Sequence, residues 1–127
     1  MAGVTHISPA AIDALNTWLD SQKSLKAASD NTIAAYQSDL LGFLGFITEH
    51  QGESVGLNAI KAVSLSDMRA WMAHERARGV SARSLARSLS AVKSFYRWLA
   101  EREGFDATAP LSARSPKFQA KLPRPLS

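Results

Sequence analysis

The sequence contains no cysteine, which excludes a disulfide framework, a thiolate metal site and a cysteine nucleophile. Histidine is scarce: His6, His50 and His74 stand 44 and 24 residues apart, with no metal-ligand spacing. No apolar run approaches the roughly 18 residues of a membrane span, and Met1–Pro9 lacks the apolar stretch of a signal peptide. The expectation is a soluble, cytoplasmic protein with no membrane partner. Glycine and proline are few, 7 and 5 among 127 residues. Nothing alternates at period two over a useful length, and no Asn-Gly or Asp-Gly hairpin signal occurs, so no strand is expected. Phosphate-cradling and hydrolytic motifs are also missing: there is no Walker loop, G-x-S-x-G or H-E-x-x-H. Asp67 and Glu75 lie eight residues apart on one predicted helix, too far to cooperate as a carboxylate pair. By itself the chain is expected to be no enzyme and to take no cofactor, metal or small-molecule ligand.

What remains is helical periodicity almost throughout. Ser8-Pro9 opens a first helix, with Ile12, Leu15, Trp18 and Leu19 at helical spacing, fading near Ser24. Ser29-Asp30-Asn31-Thr32 offers several caps for a second helix running to about His50 and stopped by Gly52. Ile33, Tyr36, Leu40, Phe43, Leu44 and Ile47 share one of its faces, and Gly42 and Gly45 suggest close approach by a neighbouring helix. Residues 52–63 read as a connector. Ser64-Leu65-Ser66-Asp67 reads as a capping box before a third helix, with Met68, Trp71 and Met72 inward and Gly79 at its end. Ser81 caps a fourth helix whose apolar face carries Leu85, Leu89, Val92, Phe95, Tyr96 and Leu99. The periodicity stops at Gly104. Residues 1–103 therefore read as an all-α, four-helix domain. Residues 104–127, with four of the five prolines, read as an extended basic linker to something further on.

Charge is distributed unevenly. Residues 1–60 hold two lysines against six acids, a net of −4, whereas residues 61–127 hold thirteen basic residues against five acids, a net of +8. A basic half of this kind fits nucleic acid, an anionic membrane surface, or a solvated face with no partner. Arg83, Arg87, Lys93 and Arg97 lie opposite the apolar face of the fourth helix. Ser81, Ser84, Ser88, Ser90 and Ser94 are interleaved with them, giving cations among small hydroxyls that allow close approach to a major groove. Arg114, Lys117, Lys121 and Arg124 could follow the backbone of the same duplex.

The stretch from Ser29 to Leu40 resembles the S-x-N-T-hydrophobic-x-x-Y-x-x-D-L segment of tyrosine recombinases, continued by Phe43 and Phe46 as F-x-x-F. Arg87–Leu99 is similar to their R-x-L-S-A-hydrophobic-[RK]-x-F-Y-x-[FW]-L segment. Pro116-Lys117 and Leu122–Ser127 look like the P-K…L-P-x-x-L-S hinge into the family's catalytic domain. Each motif is weak alone, but the three fall in the family's order and spacing over about residues 8–127. The resemblance is nearest to the bacterial Xer group and its XerC branch. A departure is Ala109, where the family usually has Asn before Pro110.

The resemblance implies a SAM-like core-binding domain that forms one jaw of a clamp on double-stranded DNA at a recombination half-site. The parent would resolve chromosome dimers at cell division, with partner recombinase subunits in a tetrameric synaptic complex. Carried over by position, the DNA-facing residues are Asn31, Thr32, Ala35 and Ser38 on the second helix and Arg83, Ser84 and Arg87 on the fourth. Phosphate contacts fall to Lys93, Lys117, Lys121 and Arg124, while Tyr36, Asp39, Leu40, Leu89, Phe95 and Trp98 would be framework. The family's strand-cleaving groups belong to the domain after the hinge, and neither Tyr36 nor Tyr96 is its nucleophile. A phage or integron integrase is the alternative within the family. From another class, a helical protein–protein module would use the first helix as its contact face, with Trp18 exposed.

Overall fold

The structure, a computed structural model, describes residues 7–51 and 56–116. These form six helices in chain order: α1 (Pro9–Lys26), α2 (Asp30–Gln51), α3 (Leu57–Lys61), α4 (Leu65–Ala77), α5 (Ala82–Glu103) and α6 (Thr108–Leu111). The four long ones are the four expected. No strand occurs among the described residues.

Capping chemistry sets the boundaries. Ser8 Oγ accepts from Ala11 N–H at 3.2 Å, with Pro9 in the first turn of α1. This helix outlasts its expected end at Ser24 and closes at Lys26, where Lys23 and Lys26 complement the C-terminal dipole. Of the four candidate caps before α2, Ser29 does the capping: its Oγ accepts from Thr32 N–H at 3.1 Å. The capping box of α4 is formed in both directions, Asp67 N–H to Ser64 Oγ at 3.0 Å and Ser64 N–H to Asp67 Oδ2 at 2.9 Å. Gly79, at φ 94°, turns the chain out of α4, and Ser81 Oγ caps α5 through Ser84 N–H at 3.1 Å. The two turns lie back to back, so the end of α4 and the start of α5 are held close together.

The core is built from the inward faces of α1, α2, α4 and α5. Trp18 is fully buried, with its ring 5.3 Å from that of Tyr36 and 5.6 Å from that of Phe95. Burial of Trp18 overturns the expectation of an exposed apolar patch on the first helix, and with it the sequence basis for an interaction module on that face. Phe43 packs edge-on against Trp71 at 5.2 Å and Tyr96 at 6.0 Å. All six residues expected on the apolar face of α5 are buried.

Two short helices depart from expectation. The connector 52–63 contains α3, whose Ile60 is buried and whose Ile60 carbonyl accepts from the Tyr96 hydroxyl at 2.8 Å. Past Glu103 the chain does not simply run off as linker. Ala107, Pro110 and Ala113 are buried, and α6 packs on α4 and α5. The bundle therefore extends at least ten residues beyond the expected boundary at 103, closed by residues too small to register as an apolar period. Asp106 anchors this turn: hydrogen bonds from the Thr108 hydroxyl and then its N–H hold the carboxyl below its ordinary value.

Candidate nucleic-acid interface

A groove of about 520 Å³ opens between the middle of α2, the end of α4 and the start of α5. Ser38 and Gly42 form its α2 wall, Arg78 its α4 end, and Ser81, Ser84 and Arg87 its α5 wall. By helical geometry at about 100° per residue, Asn31, Ala35, Ser38 and Gly42 share a stripe roughly 60° wide along α2. That stripe carries no bulky side chain, and Asn31 and Ser38 are its polar members. Gly42 does not mark a close helix contact, as its sequence position suggested: a Cβ built there meets no heavy atom within 4 Å. It faces the open groove.

The expected site residues divide into three sets. Ser38, Ser84 and Arg87 line the groove together. Asn31 is exposed and Ala35 half-buried further along α2, while the Thr32 hydroxyl is engaged in the helix cap, accepting from Ser29 Oγ at 3.0 Å. Arg83 is exposed on the crest of α5, one turn before Arg87. Lys93 stands apart from the groove, half-buried. Burial, then the charges of Arg97 and Arg114, hold its ammonium below the usual lysine value. Lys117, Lys121 and Arg124 lie outside the described residues.

The electrostatics of the groove differ from those of the crest. Arg78 Nη1 lies 2.7 Å from Glu75 Oε1 and Arg87 Nη2 lies 3.7 Å from Asp39 Oδ1, so both groove arginines face carboxylates. Ser88 Oγ donates to the same Asp39 oxygen at 3.0 Å. Among the described residues, Arg83, Lys93 and Arg97 have no carboxylate within 4 Å. Sequence reasoning missed Arg78 and gave Asp39 only a framework role. Arg78 sits two residues after Arg76 and just before Gly79, a basic pair at a helix end, which was the available signal. A second cationic concavity, lined by Arg69, Arg76 and Arg114, was also missed, because its members are scattered along the chain.

The family described as phage integrase, N-terminal SAM-like domain, matches over residues 15–103. The chain belongs to this family. The match covers α2 to α5 completely, and with them every wall of the groove; α6 lies beyond it. Among curated relatives, the chain is 43% identical over 122 residues to the tyrosine recombinase XerC of Rhodospirillum centenum, covering 94% of this chain and 35% of that one. The XerC of Methylobacterium nodulans is also 43% identical, over 120 residues, with 94% and 37% covered. That of Brucella suis is 38% identical over 110 residues, with 87% and 35% covered. The chain thus spans about a third of the length of the curated relatives it matches. No solved structure matches it significantly. Among the described residues, no helix is long and apolar enough to cross a membrane and no cluster of His, Asp and Glu could hold a metal ion.

Proposed function

We propose that this chain is the DNA-gripping core-binding domain of a XerC-like tyrosine recombinase, with the α2–α5 groove and the α5 crest turned toward the duplex. The observation that carries the reading is the division of charge across that surface. Unpaired cations at Arg83 and Arg97 stand on the crest of α5, where a phosphate backbone would pass. Small hydroxyls and carboxylate-paired arginines line the groove beside Arg83, and serine and arginine are side chains that bond base edges in a major groove. Asn31, Thr32, Ala35 and Ser38 extend the same surface along α2, and Ser84 joins Arg87 on α5. Lys93, Lys117, Lys121 and Arg124 are assigned to phosphate along the path out of the domain.

The relatives' name, tyrosine recombinase XerC, supports a recombinase role for the parent. The resemblance of the sequence motifs extends the proposal to a cytoplasmic site-specific recombinase, joined by partner recombinase subunits in a tetrameric synaptic complex and resolving chromosome dimers at cell division. In that role this chain binds and does not cleave. Tyr96 is buried with its hydroxyl committed to the Ile60 carbonyl. Burial, then the charge of Asp67, raises its ionisation far above the ordinary tyrosine value, the opposite of what a nucleophile needs. Tyr36 packs against Trp18.

Amide chemical-shift mapping on titration with a Xer-type recombination-site duplex tests the reading. Shifts concentrated in residues 31–42 and 78–88 are expected. Shifts confined to α1, or none at low salt, would sink it.

A further inference from the structure

We propose that Asp39 determines what Arg87 can read: it holds the guanidinium for a base edge and withholds it from phosphate. The inference rests on the DNA-binding reading above and assigns a positioning role within that site. The Asp39 side chain is only 10% exposed at the floor of the groove, whereas that of Arg87 is 64% exposed. The hydrogen bond from Ser88 Oγ ties Oδ1 to α5 independently of Arg87, at 3.0 Å. Oδ2 is buried and has no hydrogen-bond partner. A carboxylate in that position has lost much of its hydration, so a cation beside it is strongly favoured. Arg87 is that cation, 3.7 Å away. At this separation the attraction is electrostatic rather than a hydrogen bond, so the guanidinium donors stay available to a ligand.

Two kinds of acceptor could take those donors. A guanine edge presents neutral O6 and N7, whereas a phosphate brings a negative charge. The Asp39 carboxylate repels the full charge of a phosphate more strongly than the partial charges of a guanine edge, so the balance at Arg87 shifts toward the base. The charge of Arg78 is balanced by Glu75 through a direct hydrogen bond at 2.7 Å. The groove therefore carries little surplus positive charge, and phosphate is directed to the crest at Arg83.

The test is fluorescence-anisotropy binding of this chain to a Xer-type recombination-site duplex and to a shuffled duplex, across salt. Asp39→Asn is nearly isosteric, keeps an acceptor for Ser88 and removes the charge. It is expected to tighten binding to the shuffled duplex and to steepen the log–log salt slope by about 0.9, one added phosphate contact. The ratio of site to shuffled affinity is expected to fall by about tenfold, the discrimination of one base contact. In an Arg87→Ala background the same substitution is expected to change neither quantity. Equal weakening on both duplexes with an unchanged slope makes Asp39 a packing residue and overturns the proposal. If circular dichroism shows Asp39→Asn unfolded, Ser88→Ala serves instead, since it unties the carboxylate without altering charge; a reduced ratio is then expected, and an unchanged ratio overturns the proposal. Failure of the unsubstituted chain to bind either duplex overturns the DNA-binding reading and this one with it. An unchanged slope and ratio in Asp39→Asn, in a chain that binds, overturns this one alone.

Discussion

Arg83 and Arg87 lie one helical turn apart on α5 yet are expected to fail differently. Arg87→Ala should cost about 1–3 kcal/mol and relax preference at one base pair, as loss of a bidentate base contact does. Arg83→Ala should weaken binding on every sequence and reduce the salt slope by about 1. Binding titrations on single-base-pair variants of the site separate the two, and uniform loss from Arg87→Ala would assign it to phosphate. Gly42→Ala separates folding from binding. The added methyl meets open space, so thermal unfolding should show a gain of about 1 kcal/mol from helix propensity. The same methyl narrows the groove, so affinity for the duplex should fall. Tyr96 carries a pH signature. Its folded-state ionisation lies above the ordinary value of 10.0, so its contribution to stability is fully present below that pH and is lost as pH rises beyond it. Phenolate absorbance at alkaline pH should show Tyr96 ionising only as the protein unfolds. Sequence reading reached Ser38, Ser84 and Arg87 because helical arithmetic places polar residues on a face. It could not reach the Asp39–Ser88 bond, which joins residues 49 apart, nor tell that the neighbour inferred at Gly42 is empty space.

At the scale of the element, boundaries follow caps, and caps are legible. Ser8, Ser64 and Ser81 each cap the helix they were expected to cap. Ser64→Ala removes half of the α4 capping box and should lower stability by about 1 kcal/mol in denaturant unfolding. The end of α1 is less well made. Ala27 takes up a left-handed conformation at φ 53°, a non-glycine at a position that favours glycine. Ala27→Gly is therefore expected to stabilise the fold by roughly 1 kcal/mol, since an L side chain there carries a steric cost. The four long helices were visible because large apolar residues recur over several turns. Helices α3 and α6, of five and four residues, complete no such repeat and form only because the bundle offers Ile60, Ala107 and Pro110 somewhere to pack.

The whole molecule joins a well-filled helical bundle to a surface with unequal charge. Its working limit lies past Ala113, so a chain ended at Glu103 should lose about 2–3 kcal/mol of burial from Ala107, Pro110 and Ala113, seen as a lower melting temperature. The basic second half, net +8 over residues 61–127, is expected to show itself in binding more than in folding. The most direct measurement is anisotropy of the unsubstituted chain with a recombination-site duplex and a shuffled duplex, from low to physiological salt. Tighter binding to the site is expected, with a log–log slope of roughly −4 to −5 for about four to six phosphate contacts. No binding to either duplex at low salt would contradict the assignment of the α2–α5 surface to DNA.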